Sequence, residues 1–312
     1  MPSSPRIVSL IPSATEIVCS LGLGKFLVGR SHECDYPAAV NTLPVCTAPK
    51  FDPTGDSATL HQRVTDLLTD ALSVYRVNLE LLEVLNPTHI VTQAQCEVCA
   101  VSLGDVEAAV AQLTQSHPQI ISLQPNRLAE VWTDIERLGT ALGAEVAPAK
   151  TAAVLAAIQQ RLEACAHRAT AVTPQPTVVC IEWTEPLMTA GNWVPELVQL
   201  AGGRGLLASP GQHSPWMSWE ALAAADPDVI VIMPCGYDLA VTGREAQALA
   251  HHPTWKTLRA VRQQRVYLTD GNQYFNRPGP RLVDSLEILA EIFHPDHFDY
   301  GHRGVGWRPW VG

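Results

Sequence analysis

Apolar residues recur along this chain with two alternating periods. One is a set of short unbroken runs: Arg6-Ile-Val-Ser-Leu-Ile11, Phe26-Leu-Val-Gly29, Ile90-Val-Thr92, Ile120-Ile-Ser-Leu123, Thr177-Val-Val-Cys-Ile-Glu182, Ile230-Val231 and Arg265-Val-Tyr-Leu268. Their length and β-branched content predict buried parallel strands. Between them apolar positions return every three or four residues, the period of a helix with one buried stripe. After Pro12, Ser13-Ala-Thr-Glu16 is a capping-box pattern, and the helix it opens stops at Gly22 and Gly24. Asn78 caps a helix carrying Leu79, Leu82 and Leu85, and Asn126 caps one carrying Leu128, Val131, Ile135 and Leu138. Residues 57–72 give a weaker helical pattern, and a last amphipathic helix covers about 282–293. Strand, polar turn and helix in repetition predict an α/β fold with parallel sheets.

One stretch organises the rest. Pro148 to Arg168 has no Gly and no further Pro, and it aligns Val154, Leu155, Ile158, Leu162 and Cys165 on one stripe. As a helix it would be about 30 Å long. The sequence on either side repeats one plan. Glu80-x-Leu82-x-x-x-Asn86-Pro87-x-x-Ile90-Val91 matches Glu220-x-Leu222-x-x-x-Asp226-Pro227-x-x-Ile230-Val231 at a constant offset of 140. The expected architecture is therefore two Rossmann-like α/β lobes joined by a single long α-helix. Its expected limits are 1–125 for the first lobe, 126–172 for the helical connector, 173–298 for the second lobe and 299–312 for an aromatic tail packed across a surface.

Composition narrows the function. With 312 residues the chain is too long for one ordinary core and comfortable for two. A net charge of −10, with no run of Lys or Arg beyond two, argues against nucleic acid or an anionic membrane as main partner. No 18-residue apolar run is present, so no transmembrane segment is expected. Residues 1–16 lack the apolar core and cleavage site of a signal peptide, which predicts a cytoplasmic protein. The eight cysteines are then expected to be reduced thiols, with Cys19, Cys165 and Cys180 as small core residues.

Ligands of open α/β sheets sit beyond the carboxyl ends of the strands. Applied to both lobes, that rule gives a cleft lined by Pro12, Ser13, His32, Cys34, Gln93, Cys96 and Cys99 from the first. From the second it takes Glu182, Trp183, Trp216, Cys235, Asp270, Tyr274, Phe275 and Arg277. Several aromatics facing a few polar groups suit a large, flat, partly apolar ligand. Gln-Cys-Glu-Val-Cys99 has the spacing of half a zinc site, which Cys34, Cys235 and His32 would complete if the loops converge; zinc or iron is possible there. A redox pair and simple loop-packing thiols are the other readings of the same residues. His32 is either an axial ligand to cobalt or iron or a hydrogen-bonding loop residue. Arg277 either pairs with a ligand oxygen or holds Asp270 or Glu182. Trp183 and Trp193 either stack on a planar ligand or fill an interface, and Asp270 either faces the ligand or only caps its own turn. No nucleophile elbow, Walker loop, zincin motif or GxGxxG is present. For an enzyme, Glu182 and Asp270 beyond their strand ends are the candidate acid/base pair, with Cys96, Cys99 or a metal beside them.

The opening Arg6-Ile-Val-Ser-Leu-Ile-Pro-Ser-Ala-Thr-Glu16, the two helix–(Asn/Asp)-Pro–strand units, Pro215-Trp216 and Tyr274-Phe-Asn-Arg-Pro-Gly-Pro-Arg281 together resemble the binding-protein family for cobalamin, iron-siderophores and haem. The likeness spans roughly residues 6–295 and is nearest the cobalamin-binding branch. It implies a corrinoid, or a related metal chelate, held between two lobes that move little on binding. Its aromatic walls fall on Trp216 and Tyr75, and a third wall falls on Met188. The glutamates that dock such proteins on a membrane permease of the ABC transporter type fall on Glu80 and Glu220, which are also residues that a helix N-terminus favours by its dipole. The chain departs from the pattern in its lack of a leader, an insertion over 47–76 and its cysteine loops, so it reads as a cytosolic branch. The resulting expectation is a binding protein that takes a corrinoid on Ser13, Tyr75, Gln93, Glu182, Trp183, Met188, Trp216, Asp270, Tyr274, Phe275 and Arg277. The alternative is an enzyme or metal-handling protein on the same fold, using Cys34, Cys96, Cys99 and Cys235 with the carboxylates.

Overall fold

In the computed structural model, residues 4–70, 74–93, 103–113, 116–142 and 147–311 are described. The chain divides into two compact units, one of residues 1–55, 59–125 and 129–157, the other of 56–58, 126–128 and 158–312. Each has its own sheet.

The first unit begins with β1 (Ile7–Ser9), α1 (Pro12–Ser20) and β2 (Leu27–Arg30). It continues through β3 (Thr47–Pro49), α2 (Ser57–Asp70), β4 (Tyr75–Val77) and α3 (Leu79–Leu85). Then come β5 (His89–Gln93), α4 (Leu103–Val110), β6 (Gln119–Leu123) and α5 (Leu128–Leu142). The sheet order is β2-β1-β5-β6 and every pairing is parallel. β1 is buried on both faces, which is why its sequence is apolar without alternation. Order reverses between β1 and β5, the switch point where open sheets receive ligands. The segment expected as an insertion forms the antiparallel pair β3·β4, with α2 between the strands. Val8, Leu10, Cys46, Tyr75, Leu82 and Ile90 belong to one buried cluster.

The long stretch is α6 (Ala147–Ala169), and the division between the units falls inside it. Its buried positions are Thr151, Ile158, Leu162, Cys165 and Ala169, so the expected stripe is shifted slightly around the rod.

The second unit continues with β7 (Thr177–Thr184), β8 (Leu187–Thr189), α7 (Val194–Leu200) and β9 (Arg204–Gly205). After these come α8 (Trp219–Ala225), β10 (Val229–Ile232), α9 (Leu239–Leu249) and α10 (Arg259–Arg262). The unit ends with β11 (Val266–Thr269), α11 (Leu282–Phe293) and β12 (Trp307–Pro309). Its sheet runs β12-β11-β10-β7-β8, with β9 also on β7. The centre is parallel, whereas β8 and β12 are antiparallel edges. The tail is thus not a surface wrapping: residues 307–309 complete the sheet beside β11.

The repeat read at an offset of 140 is physical. Asn78 and Ser218 each accept the backbone N–H three residues on, and Asn86 and Asp226 each end their helix in the left-handed region. Arginines close both ends: Arg6 donates to Leu85 O at 2.9 and 2.6 Å, and Arg259 donates to Asp228 at 2.8 Å and Asp226 at 3.3 Å. Carbonyls that a helix leaves unpaired thus meet a cation in the first copy, and carboxylates replace them in the second.

Candidate functional site

At the carboxyl end of the first sheet most of the described polar groups satisfy one another. Ser9 and Thr15 share a hydrogen bond of 2.8 Å, and the Thr15 hydroxyl lies 3.0 Å from Cys34 Sγ. All three are buried. Cys34 is therefore a core thiol bonded to a hydroxyl. Ser31 and Thr47 hydroxyls are 3.0 Å apart, and Thr47 Oγ1 meets both the backbone N and Nδ1 of His32, at 3.1 and 2.8 Å. Burial, then the nearby Arg30, lowers the His32 pKa, so the imidazole is held neutral. Its ring lies 5.2 Å from that of Tyr75, whose hydroxyl donates to Glu33 at 3.0 Å. Gln93, the last residue of β5, is buried. Ser13 is buried in the first turn of α1, and its hydroxyl has no partner among the described residues. A cavity of about 520 Å³ runs along β6 and α5, but none of the expected site residues line it.

The second unit presents a different surface. β7 bulges at Glu182, so Trp183 pairs with Met188 of β8, and Met188 in turn bridges Trp216. Directly opposed residues of antiparallel segments share a face. Trp183, Met188 and Trp216 therefore form one apolar ladder across three extended segments. Hydrogen bonds from Thr189 N to Pro215 O (3.1 Å) and from Met217 N to Leu187 O (2.9 Å) fix the third segment. Trp216 is 58% exposed, a large apolar side chain left facing solvent. Tyr237 extends the row, its ring 5.5 Å from Trp183. Trp183 Nε1 is satisfied by Glu185 O at 3.0 Å.

Glu182 sets this ladder from behind. Its Oε2 accepts from Ser214 Oγ at 2.9 Å, and Ser214 Oγ accepts from Gly191 N at 3.0 Å. A carboxylate at a bulge thus anchors the loop that carries Trp216. Asp270 directly follows β11 and caps its own turn by accepting from Gln273 N at 2.7 Å. Burial raises its pKa, opposed by the N–H groups of Gln273 and Asn272 and by Arg277. Arg277 is buried and donates to Asn272 Oδ1 at 2.9 Å. Tyr274 is half-buried beneath Arg281, whose guanidinium lies 5.4 Å from its ring centre. Of Glu182 and Asp270, read as an acid/base pair, the first holds the Ser214 loop and the second caps its own turn.

Two aromatics of the expected set are interior. Phe275 is fully buried with a φ of 64°, and its carbonyl accepts from Trp193 Nε1 at 2.7 Å. The buried Trp193 and Phe275 are core, and neither ring offers a surface to a ligand. Of the expected thiols, Cys235 is half-buried at the end of β10, its N donating to Glu182 O at 3.3 Å. Cys96 and Cys99 lie outside the described residues. Among the described residues no three His, Cys, Asp or Glu groups gather as a metal site. Glu80 and Glu220 are both exposed on first helical turns, and Glu220 is held below the usual carboxylate range by its own N–H and by Ser218. The residues missed by sequence reasoning are Ser214, Ser31, Thr47 and Tyr237. Ser31 and Tyr237 follow β2 and β10 closely, whereas Ser214 sits in a long loop and Thr47 opens a strand, so neither of these two carries a local signal.

Two α/β units, the second with aromatics, carboxylates and a buried arginine at its strand ends, have the build of a solute-binding protein. The chain belongs to the periplasmic binding protein family, whose model matches residues 7–273. It is 27% identical over 301 residues to the uncharacterized ABC transporter substrate-binding lipoprotein YvrC of Bacillus subtilis, covering 94% of this chain and 81% of that one. The vitamin B12-binding protein of Vibrio cholerae is 27% identical over 292 residues, covering 91% and 87%. Among solved structures, the periplasmic heme-binding protein RhuT from Roseiflexus superposes with a TM-score of 0.69 at 24% identity, covering 94% of this chain and 99% of that one. No described helix is long and apolar enough to cross a membrane.

Proposed function

We propose that this chain binds a corrinoid of the cobalamin type, with the flat face of the ligand resting on the Trp183–Met188–Trp216 ladder. The ladder is the observation that carries the proposal: a ring, a thioether and an exposed indole in register on one face. A corrin plane is wide, apolar on its faces and fringed with amides, so it matches apolar contacts ringed by a few polar groups. Asp270, Asn272 and Arg277 supply such groups beyond the end of β11, which β10 separates from β7 in the same sheet. The vitamin B12-binding relative supports the ligand class, and the transporter relative supports delivery to an ABC permease. Docking there would use Glu80 and Glu220, which sit at matched positions of the two repeats.

The test is calorimetric titration of the full chain with hydroxocobalamin, cobinamide and haemin under reducing conditions. One-to-one binding of the two corrinoids at micromolar affinity or better, weakened by Trp216→Ala, is the expected result. Tight binding of haemin with neither corrinoid would replace the corrinoid by a porphyrin. Silence with all three would discard the flat-chelate reading.

A further inference from the structure

α11 carries Asp284, Glu287 and Glu291 at spacings of three and four, an acidic stripe on an otherwise apolar helix. Buried carboxylates require donors, and these come from two directions. Arg161 of α6 reaches Glu287 at 3.1 and 2.6 Å and Asp284 at 2.6 Å. The remaining donors belong to the C-terminal segment. Glu291, 2% exposed, accepts from the backbone N of Tyr300, from His302 N at 3.2 Å and from Trp307 Nε1 at 2.5 Å. His302 Nε2 lies 3.1 Å from Glu287 Oε2.

This clamp fixes the turn 302–307, and the turn touches the Asp270 loop directly. Gly306 O accepts from Asp270 N at 3.0 Å, and β12 pairs Trp307 with Thr269. A side chain at residue 306 would meet Ile288 Cδ1 at 2.8 Å and Tyr274 Cε2 at 3.2 Å, so glycine permits a close approach there. Tyr274 also faces the His302 ring edge-on at 6.2 Å. The family match ends at residue 273, so all of the tail lies beyond it.

We infer that the C-terminal segment is a positioning element for the ligand loop Asp270–Arg277, with Glu291 as the positioning residue. Glu291 acts through the tail: it holds Trp307 and the 300–302 backbone, these hold Gly306, and Gly306 holds the Asp270 N–H. The loop's role toward a ligand rests on the reading given under Proposed function, whereas its positioning does not.

The experiment uses the full chain with Glu291→Gln and, as a milder change, Trp307→Phe, which removes one donor and keeps the β11–β12 pairing. Amide exchange over residues 270–276 is expected to quicken about ten-fold or more in both, while β10 keeps its protection. The dissociation constant for hydroxocobalamin is expected to rise by a similar factor. Faster exchange confined to residues 299–308, with 270–276 unmoved, would overturn the inference and leave the tail as a mere cover for α11. If the unaltered chain binds neither hydroxocobalamin nor haemin, the ligand reading fails separately, and the exchange of 270–276 still decides the positioning.

Discussion

The carboxyl ends of the two sheets share a position in the fold and differ in chemistry. In the first unit the described residues there are hydroxyls, a thiol and a neutral imidazole: Ser9, Thr15, Ser31, Cys34, Thr47 and His32 bond mainly to each other. In the second they are built from carboxylates, indoles and an arginine, and one indole is left facing solvent. Self-satisfied groups have little to gain from a ligand, because each contact would replace an existing hydrogen bond. An exposed indole gains by being covered. The difference assigns rigidity to the first end and ligand affinity to the second, and it can be broken experimentally.

The largest effect is expected at Gly271. A methyl group there would lie 2.1 Å from Pro234 O, and backbone does not yield as a side-chain tip does. Gly271→Ala should therefore cost about 3 kcal/mol of stability through overpacking and a displaced loop. Chemical denaturation read by tryptophan fluorescence would measure it. A loss below 1 kcal/mol would show that the β10 and β11 ends separate easily, against a fixed ligand loop.

Next comes a pair of substitutions, one at each end. Trp216→Ala should weaken hydroxocobalamin binding by about 2 kcal/mol, the scale of an aromatic anchor. Because the indole is largely exposed, stability should change by less than about 0.5 kcal/mol. Tyr75→Phe should do the opposite. Loss of its bond to Glu33 should cost about 1 kcal/mol of stability, and affinity should move little. Calorimetry beside thermal melts separates the two. Family likeness assigns Tyr75 an aromatic wall; Tyr75→Phe keeps the ring, so Tyr75→Leu reads that role, and a large affinity loss in Tyr75→Leu alone would assign the ring to the ligand.

How far these ends were legible in the sequence depends on the element. The α6 rod and the 140-residue repeat were legible because helical period, caps and left-handed Asn86 and Asp226 are local signals. β8 and β12 were not: three-residue edge strands carry no period, and their pairing is decided by β7 and β11. α9 is hidden for a similar reason, since its buried stripe mixes Thr242 and Glu245 with Ala246 and Leu249. Site residues were legible as positions beyond strands but not as directions. Nothing in Asp270 to Arg281 says that Phe275 turns inward at positive φ while Tyr274 stays half-buried. The Trp183–Met188–Trp216 register depends on a bulge at Glu182, and a one-residue bulge leaves no mark in an apolar run.

The smallest effect carries opposite signs at two histidines. At the first sheet's end, burial and Arg30 lower the His32 pKa. In the second unit burial would lower that of His302, but the bond from Glu287 and the charges of Glu291 and Asp284 outweigh it and raise the value. In the unfolded chain both rings titrate near 6.5. For His32 the unfolded state binds the proton more readily, so its stability contribution is complete above 6.5 and is lost as pH falls through the depressed folded value. For His302 the folded state binds it more readily, so the contribution is complete below 6.5 and fades as pH rises through the raised folded value. Unfolding free energies of the unaltered chain, His32→Gln and His302→Gln between pH 5 and 8 test this. The difference for His32→Gln should change in favour of the variant toward acid, because the unaltered chain alone loses stability there. The difference for His302→Gln should be greatest at the acid end and shrink toward the alkaline end. Parallel slopes in the two variants would mean that the two histidines share one electrostatic environment. Opposed slopes would place a neutral, hydroxyl-held imidazole in the first unit and a charged clamp in the second, where the tail's hold on Glu287 is partly ionic.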